Sequence, residues 1–226
     1  MKNIVVLTGA GISAESGLKT FRDADGLWEG HDIMAVASPE GFYNNPALVL
    51  DFYNQRRKQL LTVKPNKAHF NVKKLEKQFN VNIITQNVDD LHERAESVNI
   101  MHLHGELLKV RSTKNIELIY PWKSDLVLGD LCEEKEQLRP DIVWFGEDVP
   151  LLDKAAEITL KADILVIIGT SMQVYPAASL IHYTQPNIPI YFIDPKPSVS
   201  ENQFENLTII KELASKGTDT LIELLS

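Results

Sequence analysis

Ile4-Val5-Val6-Leu7-Thr8-Gly9-Ala10-Gly11-Ile12-Ser13-Ala14-Glu15-Ser16-Gly17 is the stretch on which the fold turns. An apolar run that stops at a glycine pair predicts a buried strand delivering a tight turn, and such a turn presents backbone N–H groups to an anion. The spacing Gly9-x-Gly11-x-x-Ala14 also meets the dinucleotide fingerprint. In that fingerprint the first glycine makes the turn, the second admits a pyrophosphate, and the third small residue lets the helix close on the strand. A purely structural β-to-α turn fits the same residues.

The chain around it has 226 residues, 44% hydrophobic and 24% charged, enough for one sizeable core with a small appended lobe. A formal charge of −8 argues against nucleic acid or an anionic membrane as a general partner. No apolar run approaches the roughly eighteen residues of a membrane span, and Met1-Lys2-Asn3 leads into a short strand with no signal-peptide pattern, so a cytoplasmic protein is expected. A monomer is expected as well. Cys132 is the only cysteine, which excludes an internal disulfide and any all-cysteine zinc site.

Downstream of the turn, Thr20-Phe21-Arg22-Asp23-Ala24-Asp25-Gly26-Leu27-Trp28-Glu29 is polar, glycine-broken and dotted with aromatics. It reads as a loop able to fold over a ligand, where an ordinary dinucleotide unit would give a second strand with an acidic ribose ligand. Ser38-Pro39 and Asn45-Pro46 each set a capping residue before a proline, so helices are predicted to begin at both places. The second runs from about Pro46 to Leu61, with Leu48, Phe52, Leu60 and Leu61 as its apolar positions. Tyr53 and Arg56 are neighbours on one face of it, a pair that can grip a carboxylate. Periodicity alone favours a blander reading, a tyrosine half packed in the core with Arg56, Arg57 and Lys58 on a solvated face.

Helical spacing follows over 66–79, and 81–85 reads as a strand ending in Gln86-Asn87-Val88-Asp89. Amides and a carboxylate beyond a strand's carboxyl end suit a ligand, although Asp89 can equally cap a helix at Leu91. Asn99 to His104 reads as a strand with His102 and His104 on one face, too few ligands for a metal. His104, last before Gly105, is placed at the ligand crevice, where a neutral imidazole serves as a general base near pH 7. His31, His69, His92 and His182 read as structural or surface residues.

From Ser112 to Arg139 periodicity is poor and charge is high, which reads as a small lobe or long loop inserted in the main domain. Ile142-Val143-Trp144 is predicted to be a short strand, left by the loop Phe145-Gly146-Glu147-Asp148-Val149, and a helix spans Asp153 to Ala162. Asp163 to Ile168 is the most continuous apolar run and so a central parallel strand, ending in the turn Gly169-Thr170-Ser171. A helix opens at Tyr175-Pro176. Ile190 to Ile193 is a strand with Asp194 at its carboxyl end, a ribose position, and a strand at 207–210 and a helix at 218–225 close the chain. The alternation predicts an α/β fold, a doubly wound parallel sheet of Rossmann-like type with a small inserted lobe.

Taken together, these motifs resemble the sirtuins, the NAD-dependent protein lysine deacylases, over nearly the whole chain. Gly9-Ala10-Gly11-Ile12-Ser13-Ala14-Glu15-Ser16-Gly17 with Phe21-Arg22 is similar to the family's glycine turn and cofactor loop, and Gln86-Asn87-Val88-Asp89 to its nicotinamide and ribose motif. His104-Gly105 matches its catalytic histidine, Val143-Trp144-Phe145-Gly146-Glu147 its substrate-binding loop, and Gly169-Thr170-Ser171 its second cofactor turn. The resemblance also implies cofactor contacts at Trp28, Asp194 and Ala214. It is closest to the bacterial branch that removes succinyl and malonyl groups, marked by Tyr-x-x-Arg, here Tyr53-Asn54-Gln55-Arg56, with Ala37 keeping the acyl pocket wide. This reverses the bland reading of the pair, because a guanidinium facing a succinyl carboxylate makes a charge-assisted bond.

The implied reaction consumes NAD: the acyl oxygen attacks the ribose C1′ as nicotinamide leaves, and His104 takes a proton from a ribose hydroxyl. Acyl-lysine proteins are the implied substrates, acetyl-lysine included. Two departures stand out. Sirtuins generally carry four zinc cysteines, whereas this lobe holds Cys132 alone with Ser112 where the first would stand, so no zinc is expected, and packing of Ile116, Leu118, Tyr120 and Trp122 takes its place. Asp194 stands where this branch often has asparagine. ADP-ribosyl transfer, NAD hydrolysis and a catalytically silent NAD-sensing module are the rival readings.

Overall fold

The apolar run that opens the chain is a strand whose alternate side chains enter two different cores. In the computed structural model, which describes residues 1–19, 27–28, 30–200 and 206–226, with backbone alone at 27–28, the elements run as follows. First come β1 (Asn3–Thr8), α1 (Gly11–Ala14), β2 (Leu27–Trp28), β3 (His31–Asp32), α2 (Ile33–Val36), α3 (Pro39–Asn44), α4 (Pro46–Thr62), α5 (Lys67–Leu75) and β4 (Asn80–Thr85). Then follow α6 (Leu91–Arg94), β5 (Ile100–His102), β6 (Gly105–Ser112), β7 (Ile119–Pro121), β8 (Leu138–Ile142), α7 (Leu152–Leu160) and β9 (Ile164–Ile168). A 3₁₀ helix (Ala177–Tyr183), β10 (Ile190–Ile193), β11 (Leu207–Ile210) and α8 (Ala214–Leu225) complete the chain.

Six strands form one parallel sheet in the order β11-β10-β9-β1-β4-β5. The chain builds outward from β1 through β4 and β5, then crosses back to β9 and builds the other way. The order reverses between β1 and β9, and a crevice at such a switch point is where dinucleotides bind. Ile4 and Val6 pack with Val72 of α5 and Leu221 of α8, whereas Val5 and Leu7 pack with Ala155 of α7 and Leu180 of the 3₁₀ helix. Helices therefore cover both faces, and β9 is buried along its whole length, as its unbroken apolar sequence requires.

A smaller unit stands beside this sheet. Strands β7, β6 and β8 make an antiparallel sheet that packs on α2, α3 and α4 through Phe52, Tyr53, Leu107, Ile142 and Trp144. The caps read at Ser38 and Asn45 are in place, accepting from Gly41 N and Leu48 N at 2.9 and 3.1 Å. Asn66 caps α5 and also donates to Ile12 O at 2.7 Å, tying that helix to the glycine turn.

Several details depart from the sequence reading. The strand expected over 99–104 stops at His102, because Leu103 and His104 turn the chain into β6. The strand expected at 142–144 instead ends at Ile142, so Val143 and Trp144 already belong to the loop. Leu61 is 46% exposed and Ile116 58% exposed, so neither is core, whereas Arg57, expected on a solvated face, is 1% exposed. The closing helix begins at Ala214, not Thr218. Phe21 and Arg22 lie outside the described residues.

Candidate active site

Three strand ends meet at the switch point, and glycine lets them. Gly9 N donates to Ile168 O at 3.0 Å and Gly11 N to Gly169 O at 2.8 Å, so the turns after β1 and β9 are joined backbone to backbone. A Cβ on Gly11 would stand 2.6 Å from Gly169 Cα, and one on Gly9 2.7 Å from Thr170 Cβ. The Ile12 and Ser13 amides are taken up by Gly9 O and Ala10 O at 3.1 Å each. The turn thus spends several of the donors that the sequence reading assigned to an anion, and its glycines serve close approach first.

The motif after β4 closes onto this turn. Asn87 Nδ2 donates to Gly9 O at 3.1 Å and Ser13 Oγ to Asp89 Oδ2 at 2.8 Å, while Gln86 Nε2 donates to Thr170 Oγ1 at 3.2 Å. Ser13, Gln86, Asn87, Asp89 and Thr170 therefore gather as polar groups around the turn, to which Ala14 brings no polar side chain. Asp89 also accepts from Leu91 N at 3.1 Å, which bears out the capping reading of it. Burial raises its pKa from 3.8 to about 6, against the lowering effect of the Ser13 and Leu91 bonds.

His104 Nδ1 lies 3.0 Å from Gln86 O. A carbonyl only accepts, so Nδ1 carries the proton and Nε2 is left as the basic nitrogen. Burial holds its pKa below 6.5 in spite of that bond, which keeps the ring neutral at pH 7. Its own carbonyl accepts from Val143 N at 2.9 Å, and Ala37 O accepts from Phe145 N at 2.9 Å. The loop Val143–Glu147 is thus suspended between His104 and Ala37. Gly146 turns it with φ +90°.

Trp144 is the loop's anchor. Arg139 places its guanidinium carbon 3.3 Å from the indole centroid and donates to both Glu147 carboxylate oxygens, at 2.6 and 3.0 Å, while Glu147 Oε2 also accepts from Trp144 N at 2.8 Å. Trp144 Nε1 donates to Tyr53 Oη at 2.9 Å, joining the loop to α4. One turn further along α4, the half-buried Arg56 lies over the Phe52 ring at 4.7 Å. Sequence reasoning missed Arg139. It directly precedes Pro140 and gives no local hint that its cation will cover an indole.

The other residues expected to contact a cofactor are held by bonds of their own. Asp194 is 1% exposed at the end of β10, and its Oδ1 accepts from Lys196 N at 2.8 Å. Glu15 Oε2 accepts from Ser215 N at 2.8 Å, capping α8, whose first residue is Ala214. Ser16 Oγ accepts from Asn66, and the Ser171 carbonyl from Ser198. Trp28 lies in β2, where the backbone alone is described. His69 and His92 are buried with ring centroids 5.0 Å apart; burial pushes His69 down to about 4, and its Nδ1 caps the start of α5. Both are structural, as read.

Zinc does not fit the lobe. Cys132 Sγ donates to Ser112 Oγ at 3.5 Å within a cluster of Leu50, Val110, Leu126 and Leu138, and a hydroxyl beside one thiol is no tetrahedral donor set. Among the described residues no group of three or more His, Cys, Asp or Glu is placed to hold a metal ion, and no helix is long and apolar enough to cross a membrane.

The Sir2 family model matches residues 9–176. An NAD-dependent protein deacylase of Helicobacter pylori (strain ATCC 700392 / 26695) is 62% identical over 222 residues, covering 98% of this chain and 96% of the relative. One from Bacteroides thetaiotaomicron is 53% identical over 231 residues, covering 100% and 98%. Among solved structures, a complex of a Sir2 homologue with NAD superposes with a TM-score of 0.86 at 37% identity, covering 99% of this chain and 89% of that one. A Sir2 homologue mutant in complex with ADP-ribose gives 0.88 at 38%, covering 98% and 91%.

Proposed function

The chain belongs to the Sir2 family and is an NAD-dependent protein deacylase, and from that premise we propose that it removes succinyl and malonyl groups, as well as acetyl, from protein lysines. The observation that carries the acyl preference is the Trp144–Tyr53 hydrogen bond, which sets the Tyr53 and Arg56 helix against the substrate loop. A guanidinium and a phenol on that wall suit a distal carboxylate. The products are nicotinamide, free lysine and O-acyl-ADP-ribose.

The residues at the switch point fit NAD. The crevice lies where strand order reverses, side chains at Gly9 and Gly11 would collide with the second glycine turn, and the buried Asn87 and Asp89 converge on it. Bound there, NAD supplies an electrophilic ribose carbon on loss of nicotinamide and a hydroxyl to receive the acyl group. The Gly9 to Ser16 turn and Gly169 to Ser171 are assigned to its phosphates, and Phe21, Arg22 and Trp28 are assigned to it as further contacts. Gln86, Asn87 and Asp89 orient the nicotinamide end, and Asp194 with Ala214 the adenosine end. Ala37 and Val143 to Glu147 line the acyl-lysine channel. His104 holds Nε2 bare and takes a proton from the ribose hydroxyl; its Gln86 bond fixes that tautomer.

The lobe 112–139 of this single domain is proposed to stand without zinc, and the protein to work as a cytoplasmic monomer. Incubating the protein with NAD and matched acetyl, succinyl and malonyl peptides, with products read by mass spectrometry, tests the whole reading. Acyl transfer to ADP-ribose that vanishes in His104→Ala is expected. Nicotinamide release without acyl removal would point to NAD hydrolysis or ADP-ribosyl transfer, and no turnover at all to a silent sensor. Arg56→Met is expected to lose desuccinylation selectively; equal loss of all acyl activities would remove its carboxylate role.

A further inference from the structure

Tyr53 and Trp144 are joined across the seam between α4 and the substrate loop, 91 residues apart in sequence. Their side chains are 1% and 3% exposed, so no water competes for the bond. An indole N–H only donates, which makes the phenol oxygen the acceptor whatever else Tyr53 touches. The phenolic proton prefers the ring plane and has two directions there. With the indole N–H occupying one side of the oxygen, the proton is turned to the other. Accepting a hydrogen bond also polarises the O–H and makes it a stronger donor.

The indole and its own backbone are held at three points. Arg139 covers one face at 3.3 Å, the Phe42 ring lies 5.3 Å away, and Glu147 Oε2 holds the Trp144 amide at 2.8 Å. A ring so confined cannot swing away to release Tyr53. Arg139 and Glu147 thus transmit a fixed orientation through Trp144 to the phenol.

We propose that Trp144 is a specificity-determining positioning residue, whose indole N–H aims the Tyr53 hydroxyl at the distal carboxylate of an acidic acyl group. The inference rests on the acidic-acyl reading of the site. An acetyl group has no oxygen at that depth, so aiming the phenol favours succinyl over acetyl without touching the reacting atoms.

The test is steady-state kinetics on matched succinyl-lysine and acetyl-lysine peptides for the wild type, Trp144→Phe, Tyr53→Phe and the double variant. Trp144→Phe keeps an apolar aromatic ring and deletes the N–H. It is expected to raise KM for succinyl-lysine about fivefold more than KM for acetyl-lysine, the size of one neutral hydrogen bond, with kcat changing less. In the Tyr53→Phe background, Trp144→Phe is expected to change the succinyl-to-acetyl ratio no further. Equal changes for both peptides, or independent effects in the double variant, would overturn the proposal. Should Trp144→Phe fold poorly, site-specific insertion of benzothienylalanine at 144 removes the N–H while keeping the ring's shape, and the same outcomes apply. A wild type that takes no succinyl-lysine would instead sink the acidic-acyl reading itself, a result visible before any substitution is made.

Discussion

Nε2 of His102 stands 2.7 Å from Oε1 of Glu93, and Nδ1 of the same ring stands 3.1 Å from the carbonyl oxygen of Asn87. Both partners accept when Glu93 is ionised, so both nitrogens carry protons and the ring is an imidazolium. Burial alone would lower its pKa, but the Glu93 bond and charge, with Asn87 O and Glu106, hold it above 6.5. For Glu93 burial acts to raise the pKa, and His102 outweighs it to leave the group below 4.5. The His102 contribution is full below 6.5 and is lost as pH rises through its raised folded pKa; that of Glu93 is full above 4.5 and lost as pH falls through its lowered one. The melting temperature of the wild type relative to His102→Gln is therefore expected to be greatest between those limits and to shrink on the alkaline side, with KM for NAD rising as the Asn87 segment loosens. Parallel melting curves across pH would remove the imidazolium from the account.

Asp89 carries the opposite sign. Its folded pKa of about 6 exceeds the ordinary 3.8, so the unfolded chain loses that proton first. Between the two values the native state is progressively penalised, and at pH 7 it holds a buried carboxylate at a cost of about 2–3 kcal/mol. Asp89→Asn is expected to raise the thermal stability of the NAD-free protein at pH 7, to have little effect near pH 4, and to weaken NAD binding. A variant less stable than wild type at pH 7 would show that the Ser13 and Leu91 bonds outweigh the burial.

How far such relationships can be read from sequence depends on how local their causes are. β1 and β9 were legible because a buried parallel strand needs apolar side chains on both faces, and the caps at Ser38 and Asn45 because the bond spans three residues. The two glycine turns were legible as turns, but not their mutual contact, which sets Gly11 against Gly169. Period two failed at Leu103, where the chain leaves the sheet for β6, so His102 and His104 reach Asn87 and Gln86 by separate routes. Arg57 looked solvated because two of its three acceptors, Leu107 O and Ser124 O, come from a distant strand and a distant loop, and only Asn54 Oδ1 lies on its own helix.

Arg57 explains how a lobe without a zinc donor set stays in place. Its Nε donates to Leu107 O at 3.1 Å and its Nη1 to Asn54 Oδ1 and Ser124 O at 2.7 and 3.4 Å, while Asn54 exchanges two bonds with Leu126 at 2.9 Å each. Burial lowers the arginine's pKa to about 10, so the head remains charged at pH 7 and its bonds are charge-assisted. Arg57→Met is expected to lower stability by about 2 kcal/mol, the lost bonds outweighing the relief of desolvation. A chelator is expected to change neither melting temperature nor activity. Stoichiometric zinc by elemental analysis, or a chelator-induced fall in melting temperature, would refute the zinc-free lobe.

Gly11 and Gly129 separate two reasons for needing glycine. Gly129 has φ +97° and open space around its Cβ position, so alanine there meets backbone strain alone, about 1–2 kcal/mol, far from the crevice. Gly11 has an ordinary φ, but its Cβ would lie 2.6 Å from Gly169 Cα and 2.8 Å from Gly169 O, and neither backbone atom can rotate away. Gly169 cannot retreat either, since it sits at φ +63° with its own Cβ position 2.4 Å from Ile12 N. The added methyl must therefore push the ends of β1 and β9 apart and break the Gly11 N to Gly169 O bond. Overpacking of this kind costs about 1–3 kcal/mol, comparable with the strain at Gly129, so stability alone does not distinguish the two variants. Ligand affinity does: calorimetric titration with ADP-ribose is expected to show binding lost in Gly11→Ala and kept in Gly129→Ala. Wild-type affinity in folded Gly11→Ala would mean that the crevice does not depend on the contact between the two turns.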